Sequence, residues 1–244
     1  MQYCGLSNKG KVRGNNEDFF YVPEIDGIQV FVVCDGMGGE NAGEIASALA
    51  VSEIVVYIEE NFNEKDRALL LRKALLNANK TVLDTAKSDN RYDSMGTTAV
   101  CALPENDKVY IANVGDSRLY LFNGESLKLI TRDHSFVEEL VRSGVITREQ
   151  AETHPQRNIL MRAVGTSPFI KADTGIVEWK DGDIIMLCSD GLHGSMNISL
   201  AEEILSSESN LLTACDRLTD AALAAGSSDN VTVVLVKNAG GIGA

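Results

Sequence analysis

Residues 96–131, GTTAVCALPENDKVYIANVGDSRLYLFNGESLKLIT, decide the fold. Apolar, β-branched runs alternate there with short polar turns at 104–107 (PEND), 115–116 (GD) and 123–125 (NGE). Strands joined so tightly must reverse direction, because a parallel return needs a crossover of a dozen or more residues. The stretch therefore predicts an antiparallel meander. Its clearest strands are 96–103 and 109–113, and further strands are predicted at 29–35 (QVFVVCD), 183–189 (DIIMLCS) and 231–237 (VTVVLVK). Several are apolar at consecutive positions, so both sheet faces should be covered.

Two long helices precede the meander. The first is expected over 42–60, with Asn41 and Glu44 spaced as a capping box and Ile45, Leu49, Ile54, Val55 and Ile58 on one face. The second is expected over 64–87, with Ala68, Leu71, Leu75, Ala78, Val82 and Ala86 as its buried stripe. A third, over 210–225, ends at Gly226. Helices grouped before and after a strand run, not alternating with strands, indicate an α+β fold. Residues 133–174 are polar, with short helical pieces at 136–143 and 147–153, and read as an excursion on the edge of the core. No repeat or linker divides the chain. One domain over 1–240 with a loose tail at 241–244 is the simplest organisation.

The charge balance excludes several functions. Among 244 residues, 22 Lys and Arg oppose 35 Asp and Glu, a formal charge of −13 that disfavours nucleic-acid binding. No apolar run is long enough to span a membrane, and the first residues lack the pattern of a signal peptide. The five cysteines are odd in number and form no CxxC pair, so free thiols in a reducing cytoplasm are expected.

The strongest chemical signal is a set of acids where apolar runs end. The run 30–34 stops at Asp35-Gly36-Met37-Gly38-Gly39, and the run 184–188 at Ser189-Asp190-Gly191. Ser228-Asp229-Asn230 leads into the last strand, and Asp116 lies in Val114-Gly115-Asp116-Ser117. An Asp at a strand end can project into a cleft on the sheet rim. Several converging carboxylates would repel one another and protonate unless cations neutralise them, and oxygen-only ligands select Mg²⁺ or Mn²⁺. Each Asp-Gly alone is an ordinary turn signal; the joint pattern is the informative one. The glycine-rich segment after Asp35 lacks the features of a P-loop or dinucleotide fingerprint.

In order and spacing, Arg13-Gly-Asn-Asn-Glu17-Asp18, Asp35-Gly-Met-Gly-Gly39, Gly96-Thr-Thr98, Val114-Gly-Asp-Ser-Arg118, Asp133-His-Ser135, Ser189-Asp-Gly191 and Ser228-Asp-Asn230 resemble the bacterial metal-dependent protein phosphatases (the PPM family, type-2C serine/threonine phosphatases). The resemblance covers about residues 2–237. It implies an α-β-β-α sandwich of two mainly antiparallel sheets flanked by helices, with 133–174 as a flap that influences substrate choice. It implies that Asp35 bridges two Mn²⁺ or Mg²⁺ ions, that the Gly36 carbonyl binds one of them, and that Asp190 and Asp229 bind the other. Glu17 and Asp18 would hold metal-bound waters or ligate directly, and Asp116 with Asp190 would form a third metal site. Arg13 would grip the substrate phosphate and Asn230 would support the site.

The implied activity is hydrolysis of phosphoserine and phosphothreonine in proteins by a hydroxide held between the cations, opposing a bacterial Ser/Thr kinase. The implied enzyme is a cytoplasmic monomer acting on phosphoproteins. One position departs from the family: Glu40 stands where most members have His, a candidate general acid for the leaving alkoxide. Glu40 could serve as that acid if neighbouring carboxylates raise its pKa, a metal-bound water could replace it, or turnover of alkyl esters could suffer. The alternatives are a non-catalytic phosphoprotein-binding module on the same fold and a small-molecule phosphatase.

Overall fold

The computed structural model describes residues 1–24, 27–38 and 42–240. Along the chain, β1 (Gln2–Asn8), β2 (Asp18–Tyr21) and β3 (Phe31–Met37) lead into helices α1 (Ala42–Glu60) and α2 (Arg67–Ser88). The meander follows as β4 (Gly96–Thr97), β5 (Ala99–Glu105), β6 (Lys108–Val114), β7 (Arg118–Phe122) and β8 (Leu127–Leu129). Short helices α3 (Phe136–Arg142) and α4 (Arg148–Glu152) precede β9 (Asp173–Glu178) and β10 (Ile184–Cys188). The chain closes with α5 (Asp190–His193), α6 (Ile198–Ser207), α7 (Leu211–Ala224) and β11 (Val231–Lys237).

The strands form two antiparallel sheets. One has the order β1-β11-β10-β7-β8; the other has the order β2-β3-β5-β6-β9, with β4 paired to β3. The meander thus divides between the sheets, at the turn between β6 and β7. Consecutive apolar residues on the central strands serve two cores at once. Phe31, Val33, Val100, Ile111, Leu119, Ile185, Leu187, Val234 and Val236 fill the space between the sheets. Val32, Cys34, Cys101 and Leu103 face outward onto α1 and α2, while Met186, Cys188, Val233 and Leu235 face α6 and α7. The layers are therefore helix, sheet, sheet, helix, the α+β sandwich expected.

Several boundaries and faces differ from the sequence reading. Helix α1 buries Ala42, Gly43, Ala46, Ser47, Ala50, Val51, Ile54, Val55 and Ile58, whereas Ile45 and Leu49 are only partly buried. In its first half small residues face the sheet because the helix packs close to it, with Ile45 and Leu49 at the flank; Ile54 and Ile58 fill the second half. Asn41, half of the expected capping box, lies outside the described residues. Helix α2 starts at Arg67, not at 64, because the Asp66 side chain accepts from the Leu69 amide and ends the preceding turn. Strands β1, β2 and β9 and helix α6 were not anticipated. The edge strands are half-exposed and lack a clean apolar run, and α6 is announced only by its Asn197 cap.

The excursion at 133–174 is pinned to the core along its length. Thr97 bridges Val164, and Ser135 bridges Leu160. From α2, the buried Asn79 accepts from the Gly165 amide at 2.8 Å and donates to the Ser167 carbonyl at 2.9 Å. Its last two residues already belong to β9.

Ile185 is fully buried between the sheets. Ile185→Ala is expected to cost ~2–5 kcal/mol, from lost burial plus the cavity left behind. A urea melt should show a lower midpoint with an unchanged slope; an unaltered midpoint would contradict the central position of this core.

Candidate active site

Five aspartates arrive at one end of the sandwich from separate elements. Asp18 opens β2 and lies opposite Asp35, near the end of β3. Asp190 follows β10 and starts α5, Asp229 precedes β11, and Asp116 sits in the turn between β6 and β7. Strand ends supply all five: Asp18 and Asp35 face each other at the edge of the β2–β3 ladder, and Asp116, Asp190 and Asp229 each stand two residues outside a paired strand.

Hydroxyls and amides hold this arrangement. The Asp35 amide donates to Thr98 Oγ1 at 2.9 Å, and Thr97 Oγ1 and the Thr98 amide donate to the Asp35 carbonyl. Thr98 in turn bonds the Ser117 hydroxyl at 2.6 Å. Ser189 Oγ donates to Asp18 Oδ2 at 2.6 Å and accepts from the Thr232 amide. Asn230 accepts from the Glu17 amide and donates to the Lys9 and Asn15 carbonyls, drawing the 9–17 arm onto the rim. His193, partly buried, bonds the Asp116 carbonyl at 3.0 Å through Nε2, and desolvation pushes it down to about 3, so the ring is neutral. Close packing explains two motif glycines. A Cβ at Gly36 would collide with the Gly43 carbonyl of α1, and one at Gly191 with the Asn230 carbonyl.

The electrostatics report convergence. Burial pushes Asp35 well above the carboxylate range, and the charges of Asp18, Asp190, Asp116 and Asp229 push it further. Asp18 is raised from 3.8 to about 7 by burial, with Asp190 and Asp229 adding to it. Asp116 is raised to about 8 by burial and then by Asp190 and Asp133. Asp190 and Glu17 are raised too, each by burial first and by Asp229 as a neighbouring charge. Two buried carboxylate oxygens, Asp18 Oδ1 and Asp190 Oδ1, have no hydrogen-bond partner.

An oxygen-only donor set with orphaned acceptors and mutually raised pKa values is what a hard divalent cation would relieve. The residues fit such ions. Among the described residues no three His, Cys, Asp or Glu side chains stand at the spacing of a closed metal site. The mutual repulsion is the better guide to convergence, because charge acts across a cleft while a coordination shell closes only around its ion.

Other sequence-derived candidates fall as follows. Arg13 is half-exposed at the rim and pairs with Asp229 Oδ2 at 2.6 Å. Glu17 lies beside Gly43, and its carbonyl accepts from the Gly36 amide. Glu40 lies outside the described residues. Asp133 stands back from the cluster and forms a two-pronged bond with Arg118. The supporting roles of Thr98, Ser117, Ser189 and Thr232 were not read from sequence. For Thr98, Ser117 and Ser189 the only signal is a place inside a quoted motif, and Thr232, inside the last strand, has none.

The chain matches the family profile "Protein phosphatase 2C" over residues 10–233. It is 39% identical to the serine/threonine phosphatase stp of Listeria monocytogenes, covering 95% of this chain and 93% of that one. Its fold is similar to the crystal structure of the serine/threonine phosphatase Stp1 from Staphylococcus aureus, with a TM-score of 0.90 and 38% identity over 97% and 94% of the two chains. It is also similar to the catalytic domain of the serine threonine protein phosphatase PstP in complex with 2 manganese ions, with a TM-score of 0.86 and 32% identity over 97% of each chain.

The raised acids make a pH prediction for protein held in chelator. Asp18 and Asp116 titrate in the folded chain near 7 and 8, against 3.8 ordinarily. Between those limits the folded state binds more protons than the unfolded one, so stability falls as pH rises through 7–8 and returns on acidification. The melting temperature should be a few degrees higher at pH ~6 than at pH ~8.5. Asp116→Asn should flatten that slope, and Mn²⁺ should raise the melting temperature most at the higher pH. A slope of opposite sign would show that the aspartates do not crowd one another.

Proposed function

The chain belongs to the protein phosphatase 2C family, and we propose that it uses Mn²⁺ or Mg²⁺ to hydrolyse phosphoserine and phosphothreonine in proteins. The observation that carries this reading is the crowding of Asp18, Asp35, Asp116, Asp190 and Asp229, with two orphaned oxygens, beside an arginine on the rim. Protein serine/threonine dephosphorylation is the activity for which its relatives are named. Those relatives do not favour the alternatives of a non-catalytic module or a small-ester phosphatase.

Asp35, Asp190, Asp229 and the Gly36 carbonyl are proposed to hold two ions, with Glu17 and Asp18 as direct or water-mediated supports and Asp116 with Asp190 as a third position. When bound, the cations supply positive charge that polarises the phosphoryl group and makes water acidic enough to attack near neutral pH. The remaining work falls to the chain's own side chains. Arg13 has the planar, always-charged group suited to a two-point grip on phosphate, and its bond to Asp229 orients it along the rim. Asn230 fixes the arm that carries Arg13 and Glu17. Ser189 holds one oxygen of Asp18 and leaves the other without a hydrogen-bond partner. Glu40 is proposed to pass a proton from its carboxyl to the leaving seryl or threonyl oxygen.

The working unit is proposed to be one domain over 1–240, with 133–174 as a flap that shapes substrate access. The partners would be phosphoproteins made by a cytoplasmic Ser/Thr kinase, met by a monomer. No described helix is long and apolar enough to cross a membrane.

Phosphate release from a phosphothreonine peptide should require Mn²⁺ or Mg²⁺ and stop in chelator. Asp35→Asn should lower kcat/KM by ~10³-fold or more. Arg13→Ala should lower it by ~10–100-fold, the loss of one or two charge-assisted bonds, mainly through KM. Metal-independent turnover, or full activity in Asp35→Asn, would overturn the reading.

Glu40→Ala should slow the phosphothreonine peptide but spare an aryl phosphate, whose leaving group needs little protonation. Equal turnover of the peptide by the wild type and Glu40→Ala would remove Glu40 as the acid.

A further inference from the structure

Cys34, Cys101 and Cys188 lie fully buried in β3, β5 and β10, and burial pushes Cys101 and Cys188 up to about 12. Such thiols are inert. Cys4 and Cys215 differ. Cys4 is half-buried in the middle of β1, opposite Leu235 of β11, and packs against the cluster that contains Cys215 of α7. The two sulfurs are 2.6 Å apart, closer than non-bonded sulfurs ordinarily approach. Their contact lowers the Cys4 thiol and raises that of Cys215, and Cys4 is the more accessible of the two sulfurs.

We propose that Cys4 and Cys215 are an oxidisable pair, a reversible disulfide site that fastens the edge strand β1 to helix α7 when the protein meets a peroxide. The order of events follows from the two environments. The Cys4 thiolate attacks one oxygen of hydrogen peroxide, the O–O bond breaks, and Cys4 becomes a sulfenic acid while the departing hydroxide takes up a proton as water. Cys215 then attacks the Cys4 sulfur, the S–O bond breaks, and the Cys215 proton leaves with the hydroxyl as a second water. The two thiols together lose two electrons, and the peroxide gains them. A small thiol restores the pair by exchange.

The fastening joins two elements that both run toward the candidate site. Beyond β1 lies the arm with Arg13 and Glu17; beyond α7 lies the loop with Asp229. Lys11 Nζ, on the arm that follows β1, already bonds the Leu223 carbonyl of α7 at 3.3 Å, a weaker tie to the same helix. Because the cross-link joins positions 4 and 215, it closes almost the whole chain into one loop, the case in which a disulfide restricts the unfolded state most. Nothing in the inference depends on the metal ligands, so its failure would leave the phosphatase reading untouched.

The test exposes the full chain to a small excess of hydrogen peroxide, removes it with catalase, and titrates thiols in denaturant. The expected result is a fall from five free thiols to three, with a Cys4–Cys215 cross-linked peptide by mass spectrometry. The melting temperature should rise by about 5 °C or more and return on reduction. Cys4→Ser, at the more exposed position, should keep all its remaining thiols and show no rise. Cys215→Ser should leave Cys4 as a sulfenic acid that a dimedone probe captures. Five surviving thiols in the wild type, a disulfide formed only between two chains, or a cross-link without a melting shift would each overturn the proposal.

Discussion

Repulsion among crowded carboxylates is the constraint on which the rest of this structure depends. Five aspartates brought to one rim, whose mutual charge raises the pKa of Asp18, Asp35, Asp116 and Asp190, oppose folding unless something else holds the strands in place. The inter-sheet core does so. Its large apolar residues lie on the same strands whose ends carry the acids. The site is therefore coupled to the core directly, through the last paired residue of β3 and β10 and the first of β2 and β11. A network of Thr98, Ser117, Ser189 and Thr232 fixes the acids' backbone without adding charge.

A second layer of ion pairs stands behind the cluster and connects it to the 133–174 excursion. Arg118 of β7 binds Asp133 with two prongs and donates to the Tyr120 hydroxyl, which compensates a largely buried guanidinium at the base of the excursion. His134 accepts from the Gly115 amide through Nδ1 and meets Asp173 through Nε2, and Asp173 also pairs with Arg132 and Arg162. The residue before Asp116 is thus tied to the excursion's first residues and to the strand that ends it. Excursion and acid cluster share this framework.

The sequence was most legible where one physical effect dominated. Tight polar turns fixed the direction of the meander, and glycine after a strand-end Asp marked Asp35 and Asp190. It was least legible where packing chose between residues of similar type. Periodicity assigned Ile45 and Leu49 to the buried face of α1, but close approach to the sheet selected Ala46 and Ala50. β1 and β9 are edge strands whose pairing depends on a neighbour, not on their own pattern. The hydroxyls around Asp18 and Asp35 carry no signal because Ser and Thr at strand ends are common. The Cys4–Cys215 contact spans 211 positions and no local spacing announces it.

The pairing of β1 with β11 places residue 2 beside 237 and residue 8 beside 231. Asn230, more than two hundred residues further along, gathers the arm that begins at Lys9. During synthesis, then, β1 leaves the ribosome long before the strand it pairs with. A nascent polypeptide that has not yet reached β11 lacks the surface on which β1 docks. Assembly of the rim is deferred until β11 has emerged, so a copy stalled before it has no finished rim.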